Sequence, residues 1–386
     1  MGSNQDELKQ VDAILRAIEC QHELAGRFNQ IQRIGRFGGG GSFSLLLTAQ
    51  DRLTKTPVAL KFFNPTCKDS YRFQCFEREA RILHELSGEC DIIGPVAPLQ
   101  EFSLTFEYLG IPFNLSFAYY ALQLAKGDVG EVIAHDLWTV SEKLRHFRTM
   151  CKAVQRVHTL GIAHRDIKPS NFLIGSDGNV KLSDFGTARY VHSYDDEILP
   201  RYIGPVGDLS YSAPETFAIL HDSLPSLYLK ADMYSLGAIL YELFAGTLLN
   251  INTLSRTLCA DLLRVGNSLD RSVRINYYNK LVSTLGDSIR LPSIALLPTG
   301  IPRFVIDHVN RLYMKMAAID YRERPSDFQW VFTRISNIEL LLKKEREYIR
   351  WRARRLQFKK PAQGRQPKQP IDHSVQSAQI QSGATT

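Results

Sequence analysis

The chain has 386 residues, 44% apolar, 10% aromatic and 23% charged, a balance close to that of globular proteins that excludes collagen-like, mucin-like and wholly disordered chains. Its formal charge of +7 is unevenly placed: residues 343–368 hold eleven basic and two acidic side chains, a local +9 that leaves the rest of the chain at −2. A body that close to neutral has no general attraction for polyanions, so any such partner is expected at the basic stretch.

In chain order, Leu8, Val11, Ile14, Leu15 and Ile18 recur at helical spacing and predict an amphipathic helix within residues 5–25, with no visible partner. The polar start Met1-Gly2-Ser3-Asn4-Gln5-Asp6 lacks the apolar core of a signal peptide, and Asp6 stands where a myristoylation signal requires Ser or Thr, so neither export nor lipidation is expected. The runs Gln30–Ile34, Phe43–Ala49 and Pro57–Phe63, broken by Gly, Pro and Asn, read as strands around one helix at Tyr71–Leu86. Tyr108 to Ala125 carries no charge and is nearly long enough to cross a membrane, but Gly110, Pro112, Asn114, Ser116 and Gln123 favour a buried hairpin turning at Gly110-Ile111-Pro112, with a strand from Leu115 to Leu124. From Ser141 the pattern changes to long helices, at Ser141–Leu160 with Ser141 as cap, Tyr228–Gly246 and Pro302–Ala318.

After Leu342 an Arg- and Lys-rich helix gives way to a Pro/Gln/Ser ending that cannot bury enough apolar surface to fold alone. These shifts predict an α+β chain: a helical extension at 1–27, a small β-rich lobe at 28–124, a larger helical lobe at 125–342 and a basic tail at 343–386. The six cysteines (Cys20, Cys67, Cys75, Cys90, Cys151, Cys259) form no zinc-type cluster and point to a reducing cytoplasm. No internal repeat is visible.

Several short motifs carry chemistry. Gly39-Gly40-Gly41-Ser42-Phe43-Ser44 sets two glycines at G-x-G spacing between strands, which suits backbone approaching a phosphate or, equally, a flexible turn. Lys61, in Val58-Ala59-Leu60-Lys61, puts a cation in an apolar strand, where it needs a partner or ligand unless it snorkels from the strand end. His164-Arg165-Asp166-Ile167-Lys168-Pro169-Ser170-Asn171, Asp184-Phe185-Gly186 and Ala213-Pro214-Glu215 follow. Singly each is weak, but together they hold one order over nearly half the chain.

That ordered set resembles the protein kinase family, over about Phe28 to Leu342. The resemblance implies the two-lobed kinase fold and an ATP-dependent protein kinase using magnesium. By it, Lys61 binds the α- and β-phosphates and pairs with Glu79, with Glu77 as the weaker choice, and Gly39, Gly41 and Ser44 cover the phosphates. Asp166 accepts the substrate hydroxyl proton, Lys168 steadies the transferred group, and Asn171 and Asp184 hold the metal. Lys168 in this run is similar to the Ser/Thr-specific branch, making protein Ser and Thr the implied acceptors. Asp232, Glu215 and Arg324 resemble the family's scaffold residues. A nucleotide-binding pseudokinase scaffold is the alternative, and a small-molecule kinase a third reading, weakened by the Ala-Pro-Glu segment.

The chain departs from the pattern in places. Ser44 replaces the third loop glycine, and a register on Gly35 is the alternative for the loop. Aligning Lys126-Gly127-Asp128 with the family's hinge makes Ala121 a small gatekeeper, Leu122 and Leu124 the adenine-contacting backbone and Asp128 the ribose partner. Excess length lies in Leu248–Pro298. Asp208 stands where Ser/Thr members carry Thr; its carboxylate either crowds Asp166 across Lys168, or pairs with Lys168 or turns away. Arg165 suggests an anion pocket, which Asp195-Asp196-Glu197 fills unless that run is a solvated turn. In the tail, Trp351 to Lys360 interleaves cations and aromatics, as ligands of nucleic acid or anionic membranes do; a solvated extension is the alternative.

Overall fold

The computed structural model describes residues 2–34, 44–64, 66–67, 69–108, 110–191, 205–220, 224, 226–268, 270–285, 289–294 and 301–358. It divides into two units, Met1–Glu339 and Leu340–Thr386. The first begins with α1 (Gly2–Glu19), β1 (Glu23–Leu24), β2 (Phe28–Arg33), β3 (Ser44–Asp51), β4 (Pro57–Phe63), α2 (Ser70–Glu85), β5 (Pro95–Tyr108) and β6 (Ile111–Gln123). The strands form one sheet in the order β1-β2-β3-β4-β6-β5, antiparallel throughout.

Successive strand residues face opposite ways, and β4 uses this to separate two jobs. Val58, Leu60 and Phe62 enter a core with Leu45, Leu47, Phe117, Tyr119 and Ala121, while Ala59 and Lys61 face the other side. Ile14, Leu15 and Ile18 of α1 close that same core, so the partner missing from the sequence is the sheet face turned away from Lys61. Arg33, at the end of β2, fastens the helix: Nη1 donates to Asp12 Oδ1 at 2.5 Å and Nε to Glu19 Oε2 at 2.6 Å. The helix stops at Glu19, short of the expected residue 25, because Glu23–Leu24 pairs with β2 as a strand. The charge-free run supplies β6 of the long hairpin β5–β6, and no helix among the described residues is long and apolar enough to cross a membrane.

The helical part follows: β7 (Gly127–Asp128), α3 (Val129–Ala134), α4 (Val140–Thr159), β8 (Ile162–Ala163), β9 (Phe172–Ile174), β10 (Val180–Leu182), β11 (Arg189–Tyr190), α5 (Pro214–Phe217), α6 (Leu227–Ala245), α7 (Leu249–Thr253), α8 (Arg256–Ser268), α9 (Arg271–Leu285), α10 (Arg303–Met316) and α11 (Phe328–Phe358). The cap of α4 is Thr139 rather than Ser141, in a capping box with Glu142 that satisfies donors at both residues. Helix α6 is buried nearly all round, and Gly237 lets α10 end against it: a Cβ there would lie 2.8 Å from the Ala317 nitrogen. The excess length at 248–298 folds in part as α7, α8 and α9. Leu262, Val265, Tyr278 and Val282 pack on Phe217, Ala218 and Leu220, at and just after α5.

In the second unit, α11 is described to Phe358, and Trp351, 52% exposed, stacks on Tyr348 at 6.0 Å. The tail beyond Phe358 lies outside the described residues. All six cysteines are free.

Candidate active site

Because β4 presents Lys61 away from the apolar core, its ammonium meets α2 and the turn after β10. Nζ donates to Glu79 Oε1 at 2.8 Å and Oε2 at 2.9 Å, and to Asp184 Oδ1 at 3.2 Å. Burial works against the charged lysine, but the Asp184 and Glu79 carboxylates outweigh it and hold its pKa well above the ordinary value. The same lysine keeps Asp184 below the ordinary carboxylate range, hence ionised.

The second half of the site is the loop between β8 and β9. Asp232, buried at the start of α6, accepts the backbone N–H groups of His164 at 2.8 Å and Arg165 at 2.9 Å, and lies 2.9 Å from His158 Nε2. Burial pushes the Asp232 pKa up, but the hydrogen bonds and charge from His158 and His164 bring it below the ordinary value. This anchoring holds Arg165 at φ 70, and Asp184 sits at φ 61, both left-handed conformations that cost non-glycine residues about 1–3 kcal/mol. Asp166 then accepts three times: from Asp208 N at 2.8 Å on Oδ1, and from Lys168 Nζ at 2.9 Å and Asn171 Nδ2 at 3.1 Å on Oδ2. Burial opposes the charge of Lys168, yet Asp166 raises its pKa overall, with smaller contributions from Asp208 and Asp184.

Asp208 therefore meets Asp166 through its backbone. Its carboxylate accepts from Ser210 N at 2.9 Å, and its charge also acts on Lys168. Gly207 makes that approach possible: it has φ 90, and a Cβ would stand 2.3 Å from the Arg165 carbonyl oxygen. Gly207→Ala is expected to lower the thermal midpoint by at least ~3 °C, from a strained conformation and a backbone clash together. An unchanged melting curve would show that the loop re-forms freely.

At the far end of β6 the pairing corrects the gatekeeper. Ala121 pairs with Leu60 and is buried in the core behind the sheet, whereas Leu122 pairs with Ala59 and Tyr120 with Lys61. Cross-strand partners share a face, so Tyr120 and Leu122 stand on the Lys61 side and no small residue opens a back pocket there. Leu124 is the first residue past the strand and has no backbone hydrogen bond among the described residues. The Asp128 carboxylate caps α3 through Glu131 N at 3.0 Å. Ser44 opens β3. Gly35, Gly39, Gly41, Ser193 and Asp195-Asp196-Glu197 lie outside the described residues.

Asn171 and Asp184 fit a hard divalent cation. The Asn171 amide nitrogen is used by Asp166 O at 2.7 Å and Oδ2 at 3.1 Å, leaving the amide oxygen without a donor among the described residues; Asp184 offers an ionised, half-exposed carboxylate. Sequence reading missed Tyr228, whose ring receives Arg165 at 4.7 Å and Arg189 at 5.7 Å. A lone tyrosine at a helix start gives no signal without the fold.

The protein kinase domain family matches residues 28–329, and the chain belongs to that family. It is 31% identical over 228 residues to the serine/threonine-protein kinase ppk24, mitochondrial, of Schizosaccharomyces pombe, covering 55% of this chain and 45% of that protein. It is 28% identical over 236 residues to the serine/threonine-protein kinase kin-29 of Caenorhabditis elegans, covering 60% of this chain and 26% of that protein. It is 31% identical over 219 residues to the serine/threonine-protein kinase SIK2 of Gallus gallus, covering 56% and 24%. The matched segment spans less than half the length of each of these relatives.

Proposed function

We propose that the chain is an ATP-dependent protein serine/threonine kinase. The observation that carries this reading is the joining of Lys61, Glu79 and Asp184 into one ion cluster, next to a loop in which Asp166 accepts from Lys168 and Asn171. Lys61 neutralises the α- and β-phosphates, and Glu79 keeps it in place. The hydroxyl oxygen of a substrate Ser or Thr bonds to the γ-phosphorus as the bond to the bridging oxygen of ADP breaks, and Asp166 receives the hydroxyl proton. Lys168 offsets the charge on the moving phosphoryl group. Asn171 and Asp184 supply the oxygens for magnesium, which when bound lowers the charge on the phosphates.

We assign the adenine contact to the backbone of Leu122 and Leu124 and the phosphate contact to Gly39, Gly41 and Ser44. Asp128 reaches a ribose only by sharing the carboxylate that caps α3. We place the protein in the cytoplasm, in keeping with its six free cysteines. We assign any anionic partner to the basic residues of 343–368, a solvated extension being the alternative.

The test uses labelled ATP, magnesium and a generic basic protein. Wild-type protein is expected to label Ser or Thr, and Lys61→Met to lose at least ~100-fold in kcat/KM, as removal of one charge-stabilising donor does. Equal labelling by Lys61→Met would refute the phosphate role, and predominant phosphotyrosine would refute the specificity.

A further inference from the structure

Strand β11 is two residues long, and its side chains leave in opposite directions, as in any strand. Arg189 goes to α6, where Nη1 donates to Tyr228 Oη at 3.3 Å and the guanidinium lies over the Tyr228 ring beside that of Arg165. Tyr190 goes to α2, where its hydroxyl donates to Glu85 Oε2 at 2.6 Å and its ring takes the Arg81 guanidinium at 5.9 Å. Arg81 and Glu85 are four apart on α2 and so share one face of its last turns, Glu85 about 9 Å along the axis from Glu79. On its other edge β11 pairs with β8, Arg189 with Ala163 and Tyr190 with Ile162, and β8 runs straight into His164-Arg165-Asp166. One short strand thus touches the helix that carries Glu79, the loop that carries Asp166 and the helix that anchors that loop.

We propose that Tyr190 is a positioning residue that fixes the C-terminal end of α2 through Glu85, and thereby holds Glu79 on Lys61. The proposal rests on the kinase reading only where it concerns rate; the mechanical link stands on the contacts alone. Glu79 is otherwise held from the β4 side, by Lys61 itself and by Phe76 against Phe63 and Tyr120. Ile82, Leu83 and Leu86 bury the inner face of the last turns of α2, and the Tyr190 hydroxyl adds a polar tether on their outer face at Glu85. Burial and the Glu85 carboxylate push the Tyr190 pKa up to about 12, so the hydroxyl keeps its proton at neutral pH.

The test is Tyr190→Phe, which keeps the ring over Arg81 and removes the hydroxyl, with its bond to Glu85 and its polar contact with Arg81. Backbone amide exchange of Arg81–Glu85, measured without nucleotide, is expected to speed up roughly tenfold while exchange in α6 stays unchanged, as expected for loss of a hydrogen bond to a charged acceptor. Glu85→Leu should reproduce this, and Glu85→Gln, which keeps an acceptor, should restore most of the protection. In steady state kcat/KM for ATP is expected to fall about fivefold with KM for peptide unchanged, and Tyr190→Phe should add less than about twofold in a Glu79→Gln background, because both changes act on the same pair. Unchanged exchange in α2, or fully additive losses in the double variant, would overturn the proposal. Exchange decides the link even if no phosphotransfer is found, so failure of the kinase reading and failure of the proposal give different results.

Discussion

Asp166→Asn should reduce kcat by roughly 10²–10⁴-fold, the range attributed to a positioned general base, while leaving the thermal midpoint within a few degrees of wild type. The amide still accepts from Asp208 N through one oxygen. Its nitrogen, however, meets the donors Lys168 and Asn171, so the cluster loses both proton acceptor and counter-charge. Asp166 lies in a partly open site and supports no apolar core, which is why the loss should be one of chemistry. Peptide phosphorylation and a melting curve on the same preparation check this. Comparable turnover in the variant would remove Asp166 from the mechanism, and a wild-type protein that binds nucleotide without transfer would favour the scaffold alternative.

The largest effect on stability is expected at Arg324→Met. Arg324 and Glu215 are both fully buried and joined by two parallel hydrogen bonds, Nη1 to Oε1 and Nη2 to Oε2, the second 2.9 Å long. Arg324 also donates to Ala318 O at 2.7 Å and Lys230 O at 2.9 Å, and stacks on Tyr234 at 4.9 Å. Removing the cation strands a carboxylate in the interior, which costs about 3–5 kcal/mol. That should lower the midpoint by ~10 °C. Glu215→Leu in the same chain should recover part of the loss, because the unpaired charge goes with it. A shift of ~1 °C or less in the single variant would show that water reaches the pair.

Much of the site was legible because its residues sit in short contiguous runs whose order along the chain is itself the signal. Lys61, Asp166, Asn171 and Asp184 could be singled out that way, and the structure brings Lys61 to Glu79 rather than Glu77. Strand β4 was bounded correctly at Pro57 and Phe63 because Pro opens it and its apolar run ends at Asn64. Ala121 went astray for a reason of geometry: a shift of one residue along a strand reverses its face, and a hinge loop of uncertain length fixes register no better than that. The cap at Thr139 was missed by two residues because Ser141 offers the same hydroxyl. The seat of α1 and the Tyr228 ring between two arginines depend on long-range contacts, which no local pattern encodes.

The seating of α1 separates two kinds of boundary that a sequence match tends to merge. The family match begins at Phe28, yet Ile14, Leu15, Ile18 and Leu24 belong to the same apolar cluster as Leu47, Leu60 and Phe117. A chain cut at Phe28 would keep every catalytic motif and bare one side of its sheet to water, an apolar patch of the sort that drives self-association. It would also free Arg33 from Asp12 and Glu19 at the strand end that enters the glycine run. The family match thus omits α1 and β1, which complete the core of the sheet, and inheritance of the motifs does not guarantee inheritance of that cover.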